Sequence, residues 1–296
     1  MTKTRQAYIY ALLAIFFWST IPTAFKICLN ELEVLPMLTF ASVTSAFALF
    51  ILLSGGRKLA LLRNLSGKEL INSAILGLIN PFLYYLILLK AYQILPAQVA
   101  QPLNMIWPII LVFLSVPLLR QKIGPRSFIA LFISFAGVYV ISSRGSLFNP
   151  GHSDMRGVFL ATGSSVFWAF YFILNVRDKR DEAVKLFLNF LFGSIYLLIS
   201  MAVTGSWQSV TLNTKGLLSA VYIGCFEMGI TFFFWLKALQ TADSTDKISN
   251  LVYIAPFLSL IFVHLILREP VYYTTPAGLV LIIAGILVQN SKSAGS

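Results

Sequence analysis

Charge is scarce in this chain. Lys, Arg, Asp and Glu make up 11% of its 296 residues, where a soluble domain carries about 25%. That deficit excludes a surface covered by polar groups, so the solvent of this protein is mostly lipid. Cysteine and histidine are nearly missing. Cys28 and Cys225 both fall inside apolar runs, which excludes a disulfide framework and a cysteine metal site. His152 and His264 lie in different regions, which argues against a histidine-based metal centre. There is no P-loop, no dinucleotide-binding glycine pattern, no HExxH and no CxxC. No enzyme and no cofactor is therefore expected. Any pumping must draw on an ion gradient or on the gradient of the substrate. The formal net charge is +11, but the basic residues are spread over many short loops. No basic face or interleaved aromatic motif gathers them, so nucleic acid is not an expected partner.

What is present is apolar. Hydrophobic residues make up 58% of the chain and mean hydropathy is +0.82. At ~20 residues per helical span there is room for about ten spans and no soluble domain beside them. The expected spans are Ala7–Leu29, Leu35–Ser54, Leu70–Tyr92, Ala97–Leu119, Arg126–Ser142, Gly157–Val176, Val184–Val203, Gly216–Leu236, Ile248–Leu267 and Thr274–Asn290. Continuous apolarity over such lengths indicates helices, since a barrel strand alternates. The first run is too long for a signal-peptide core and no small-residue cleavage site ends it, so it is expected to be retained. With the N-terminus inside, sixteen of the 22 Lys and Arg residues fall on the inner side. The positive-inside rule then places both termini in the cytoplasm.

The chain repeats itself. Phe17-Trp18 returns as Phe167-Trp168, and Leu89-Lys90-Ala91 as Leu236-Lys237-Ala238. Pro108 matches Pro256, Leu119-Arg120 matches Leu267-Arg268, and Ala136-Gly137 matches Ala284-Gly285. The offset is close to half the chain, giving repeats over 1–148 and 149–296. Each repeat holds five spans. Five is odd, so the second copy enters the membrane upside down. Inverted repeats are typical of transporters, with the substrate site near the midplane where the repeats meet.

One carboxylate stands inside an apolar run. Glu227 lies near the middle of Gly216–Leu236. An acidic side chain at that depth costs roughly 2.5–3.5 kcal/mol on insertion scales and marks a functional site by default. As a functional group it can face the substrate or carry a coupling proton; the alternative is a structural Glu bonded to a neighbouring helix. The repeat offset pairs Glu227 with Asn80, which precedes the helix-kinking Pro81. Tyr84 and Tyr85 follow one turn later, so one of them can share the face of Asn80.

Trp18, Trp107 and Trp168 lie deep within their spans, not in the interfacial belts where Trp collects. They suit a cavity wall, with helix packing as the alternative. Tyr171 can share the face of Trp168. The fourth span holds Pro102, Asn104 and Pro108, and the ninth holds Asn250, Tyr253 and Pro256. Both are irregular, polar-lined helices, and Asn104 and Asn250 can serve only to satisfy freed backbone. Small residues at Ala136-Gly137, Ala284-Gly285 and Gly163-Ser164-Ser165 mark close helix contacts. His264 is expected to be a packed histidine, and Lys90 and Lys237 to snorkel from span ends.

Several short motifs carry a family resemblance. Phe17-Trp18-Ser19-Thr20, Asn104-Met105-Ile106-Trp107-Pro108, Val166-Phe167-Trp168-Ala169, Tyr253-Ile254-Ala255-Pro256 and Leu267-Arg268-Glu269-Pro270 resemble the EamA family of the drug/metabolite transporter superfamily. With Gln121-Lys122 they are similar to amino-acid exporters within it. The resemblance covers nearly the whole chain. It implies an all-α, basket-shaped bundle of ten helices around a central cavity, and export of amino acids or similar small metabolites. Gln121 departs from the acidic residue that Glu269 supplies in the second half. Glu227 belongs to no general family pattern.

The resulting expectation is an integral protein of a bacterial inner membrane. It exports small polar metabolites by alternating access. Its partners are the lipid bilayer and a small-molecule substrate, and a monomer is compatible with this. The expected substrate-binding residues are Trp18, Asn80, Tyr84, Asn104, Trp107, Trp168, Tyr171, Glu227 and Tyr253. A cationic or quaternary ammonium cargo, carried in either direction, is an alternative, since an acidic residue beside aromatics can hold a cation. A lipid-modifying membrane enzyme is a weaker one, because no partner for Glu227 as nucleophile or base stands out.

Overall fold

The computed structural model describes residues 3–56, 58–120, 124–147, 154–210, 213–242, 248 and 251–290. Arg57, Gln121, Lys122, His152, Lys247, Asn250 and Lys292 lie outside them. Every regular element among the described residues is helical. In order these are α1 (Lys3–Leu29), α2 (Val34–Gly55), α3 (Gly67–Gly77), α4 (Tyr84–Ile94), α5 (Ala97–Asn104), α6 (Trp107–Leu119), α7 (Pro125–Ser142), α8 (Met155–Arg177), α9 (Glu182–Thr204), α10 (Thr214–Phe226), α11 (Ile230–Thr241), α12 (Ile254–Leu267) and α13 (Thr274–Asn290). Short 3₁₀ turns cover Leu59–Asn64 and Ser206–Ser209.

Eight helical stretches are long and apolar enough to cross a membrane. They coincide with the first eight expected spans. Two shorter apolar helices, Ile254–Leu267 and Thr274–Gln289, occupy the ninth and tenth positions. Three of the eight are not single helices. Gly67–Ile94 is interrupted by a π-type turn at Leu78–Leu83, Ala97–Leu118 by a turn at Met105-Ile106, and Thr214–Thr241 at Glu227–Gly229.

Helix ends are set by local chemistry. Ser66 and Glu69 form a reciprocal capping box on α3, satisfying two otherwise orphaned donors. Asp181 caps α9 and Asn213 caps α10 through their side-chain oxygens. Pro125 opens α7, where its missing N–H costs nothing. Arg120 and Arg268 end α6 and α12 with φ of 55° and 56°. This left-handed turn is rare for residues other than Gly, and its recurrence at matching positions echoes the repeat.

The chain divides into two compact units, Met1–Leu89 with Asp178–Arg268, and Lys90–Arg177 with Glu269–Ser296. Each draws on both halves of the sequence. In the first unit α2 packs on α9 and α10, α1 on α10, α11 and α12, and α3 on α9. Gly193 admits Pro81 so closely that a Cβ there would lie 2.5 Å from the ring. Ser42 and Ser194 join α2 to α9 at 2.9 Å. Asp178, Arg180 and Ser73 form a mostly buried polar cluster at one end, where Asn72 also bonds Asp178.

In the second unit α8 packs on α5 and α6, and α7 packs along α13. A Cβ on Gly137 would meet the carbonyl oxygen of Gly278 at 2.6 Å, and one on Gly285 would meet that of Ala130 at 2.8 Å. As the chain advances along α7 its partners on α13 fall back in number, so these helices run antiparallel. Lipid supplies no hydrophobic force between helices, and this backbone-to-backbone approach is what holds them. Gly163 departs from expectation. Nothing lies within 4 Å of a Cβ there, and its neighbours Ser164 and Ser165 make the contact instead, through hydrogen bonds. His264 is exposed on the helix surface.

Candidate substrate site

The interruption at Glu227 organises the polar interior of the first unit. The amide of Glu227 still bonds the carbonyl of Ile223 at 2.8 Å, so its backbone caps α10. Gly229 then adopts φ −120° and ψ −92°, and the span resumes at Ile230. Thr231, fully buried, donates its hydroxyl to the carbonyl of Phe226 across the gap. A carbonyl that has lost its helical donor at membrane depth requires such a substitute.

The Glu227 side chain is half-buried, and its Oε1 accepts a hydrogen bond from the Tyr85 hydroxyl at 3.0 Å. Aromatic rings surround this end of α10. Phe226 stacks on Phe17 with ring centres 4.3 Å apart, and Tyr222 lies 4.9 Å from Phe226. The Tyr222 hydroxyl is 2.6 Å from Oγ1 of Thr20. Trp18, half-buried, stands against Phe232 and Trp235. Tyr84 is buried against Tyr85, with ring centres 4.7 Å apart. Tyr253 is half-buried in the turn that leads into α12.

Asn80 occupies the other interruption. Its backbone is extended, with φ −143° and ψ 119°, inside the turn that separates α3 from α4. It is 3% exposed, and its Oδ1 has no hydrogen-bond partner among the described residues. A buried amide oxygen without a donor costs about 1–3 kcal/mol. Its counterpart at the repeat offset, Glu227, sits at the matching interruption.

The second unit gathers the other four expected residues. Trp107 and Trp168 meet edge to face at 6.3 Å, and Tyr171 lies 5.8 Å from Trp168. Pro108 has no N–H, so the carbonyl of Asn104 loses its helical donor. The fully buried Ser165 hydroxyl supplies one at 3.0 Å. The Asn104 amide in turn donates to Ser164 at 2.8 Å. The side-chain nitrogen and the carbonyl of Asn104 are thus engaged with α8. At the N-terminus of α5, Glu269 accepts from the amides of Ala97 and Gln98, a charge-assisted cap. At the far end of α7 a recess of about 390 Å³ is lined by Arg144, Gly145, Ser146 and Tyr272.

Five expected residues, Trp18, Asn80, Tyr84, Glu227 and Tyr253, therefore belong to the first unit. Asn104, Trp107, Trp168 and Tyr171 belong to the second. The residues that sequence reasoning passed over are Tyr85, Tyr222 and Thr20. The signal for Tyr85 was present, because either of two adjacent tyrosines follows Asn80 by a turn.

This architecture is that of an integral membrane protein built from apolar helices, several of them broken at polar residues. The profile of the EamA-like transporter family matches twice, over residues 5–143 and 155–291. The chain belongs to that family. It is 27% identical to the uncharacterized transporter YvbV of Bacillus subtilis over 73% of this chain and 70% of that one. It is 24% identical to an uncharacterized transporter of Clostridium kluyveri over 98% of this chain and 94% of that one. A crystal structure matches with a TM-score of 0.65 and 21% identity, covering 97% of each chain, a likeness of fold.

Proposed function

We propose that this chain is a secondary transporter that exports small polar metabolites, amino acids foremost, across a bacterial inner membrane by alternating access. Both termini lie in the cytoplasm. The observation that carries the reading is the pair of interrupted spans. Asn80 and Glu227 break helices at equivalent positions of two sequence repeats, each leaving a polar side chain at membrane depth. Transporters place substrate sites at such discontinuous helices. The two family matches and the antiparallel contact of α7 with α13 support an inverted repeat. Trp18, Tyr84 and Tyr253 within the first unit, and Trp107, Trp168 and Tyr171 within the second, are assigned to substrate contact, each within its own unit.

The test is uptake into proteoliposomes over a panel of amino acids, nucleobases and choline-like cations, with and without a pH gradient. Trp18→Ala, Trp107→Ala and Trp168→Ala are expected to lower flux more than they lower the yield of folded protein. Normal flux in all three variants would return these tryptophans to a packing role.

A further inference from the structure

Glu227 is a carboxylate without a matching charge among the described residues. Among the described residues no Lys, Arg or His forms an ion pair with it, and the Tyr85 hydroxyl is its hydrogen-bond partner. A carboxylate removed from water without a counter-charge is costly, and such groups are paired, hydrogen-bonded or neutralised. One oxygen is engaged by Tyr85. The side chain keeps partial exposure, so the group is reachable. The Tyr85 ring that reaches Glu227 packs against those of Tyr84 and Phe25, with ring centres 4.7 Å and 6.4 Å away. A carboxylate held within an aromatic cluster is the chemistry that recognises an organic ammonium, by charge first and by ring quadrupole beside it.

We infer that Glu227, oriented by Tyr85 with the rings of Tyr84 and Phe25 packed on that tyrosine, holds the positively charged nitrogen of the transported substrate. This rests on the transporter reading and narrows it to substrates bearing an ammonium group. Among its described residues the second unit offers no equivalent. The Asn104 amide nitrogen and carbonyl are engaged by Ser164 and Ser165, and its acidic Glu269 is engaged at the N-terminus of α5. Among the described residues Glu227 is bound at its Oε1 only. Tyr85 acts as a positioning residue, since its hydroxyl fixes the carboxylate and need not touch the ligand.

The experiment uses the purified full chain, with phenethylammonium and its uncharged analogue 2-phenylethanol as probes at neutral pH. The wild type is expected to bind the ammonium at least about tenfold more tightly than the alcohol, the scale of a charge-assisted hydrogen bond. Glu227→Gln should erase that preference and leave alcohol binding in place. Tyr85→Phe should reduce the preference without erasing it. In case the Glu227 variant fails to fold, wild-type protein is treated with a membrane-permeant carbodiimide and modification of Glu227 is read by mass spectrometry. Phenethylammonium should protect Glu227 and 2-phenylethanol should not. Equal binding of the two probes, a preference that survives Glu227→Gln, or equal protection would each overturn the assignment. Flux in proteoliposomes reads the transport proposal separately. Flux of neutral or anionic metabolites with no ammonium preference keeps the transporter and removes this site. Ammonium protection at Glu227 without flux of any panel member keeps the site and removes the transporter.

Discussion

A Cβ on Gly137 would lie 2.6 Å from the carbonyl oxygen of Gly278 and 2.8 Å from a side-chain carbon of Ile282. The obstacle is backbone, which cannot rotate away. Gly137→Ala must therefore push α7 and α13 apart, at a cost of about 1–3 kcal/mol, as for other overpacked contacts. Gly163→Ala meets nothing within 4 Å and should leave stability unchanged or slightly raised. Unfolding in mixed micelles compares the two. Equal effects would show that α7 and α13 do not depend on this approach.

Ser165 replaces the helical donor that Pro108 removes. Ser165→Ala leaves the carbonyl of Asn104 without a partner, and the expected loss is about 1–2 kcal/mol. Thr204→Ala removes an exposed hydroxyl that bonds its own helix, where surface changes stay within about 0.5 kcal/mol. Matching losses in the two variants would contradict the account of the broken fourth span.

The polar cluster between α8 and α9 makes stability depend on pH. Burial resists ionisation of Asp178, but the hydrogen bonds and charge of Arg180 outweigh it and hold the carboxyl below its ordinary value. The ionised form thus stabilises the fold above the unfolded-state value of ~3.9, and that contribution is lost as pH falls through the lower folded value. Asp178→Asn should be less stable than wild type at neutral pH. The difference should shrink once the pH drops below about 4. A difference that stays constant between neutral pH and pH ~3 would remove Asp178 from this role.

Orientation is tested with Gly67→Cys and Ser209→Cys. Both positions are exposed, and a side chain at Gly67 meets no neighbour. Ser66 is avoided because it caps α3. An impermeant thiol reagent added to intact cells should label position 209 and spare position 67. The reverse pattern would turn the chain over in the membrane.

The helical class was legible from composition, because apolar runs of span length permit little else in lipid. The interruption at Asn80-Pro81 was legible too, since proline removes a donor wherever it sits. The interruption at Glu227 was not, for no proline marks it. Its cause lies in the backbone of Gly229 and the hydroxyl of Thr231, two ordinary residues in a helical run. The choice of Tyr85 over Tyr84 also escaped, because the turn at Leu78–Leu83 resets the phase of the helix after it. Asn104 was read as a substrate-binding residue, with satisfaction of freed backbone as the alternative; its side-chain amide donates to the hydroxyl of Ser164, and it is Ser165 that satisfies the freed carbonyl. Ser164 and Ser165 do stand at a helix contact as expected, but they make it by hydrogen bonds, which the sequence does not distinguish from close packing.

The composition of the first unit bears on how the chain is made. Its N-terminal portion ends at Leu89 and its remaining portion begins at Asp178. At ~5–20 residues per second the ribosome needs on the order of ten seconds to bridge that interval. During that time α1, α2 and α3 stand in the bilayer without α9 to α12 beside them. Ser42, fully buried in the finished fold, then faces lipid or early neighbours, and Gly77 and Gly193 have not yet met. The second unit is also left incomplete, because α13 is synthesised after every other described helix. The first half of the protein therefore cannot mature ahead of the second, and a chain cut after residue 148 is expected to be a substrate for membrane proteolysis.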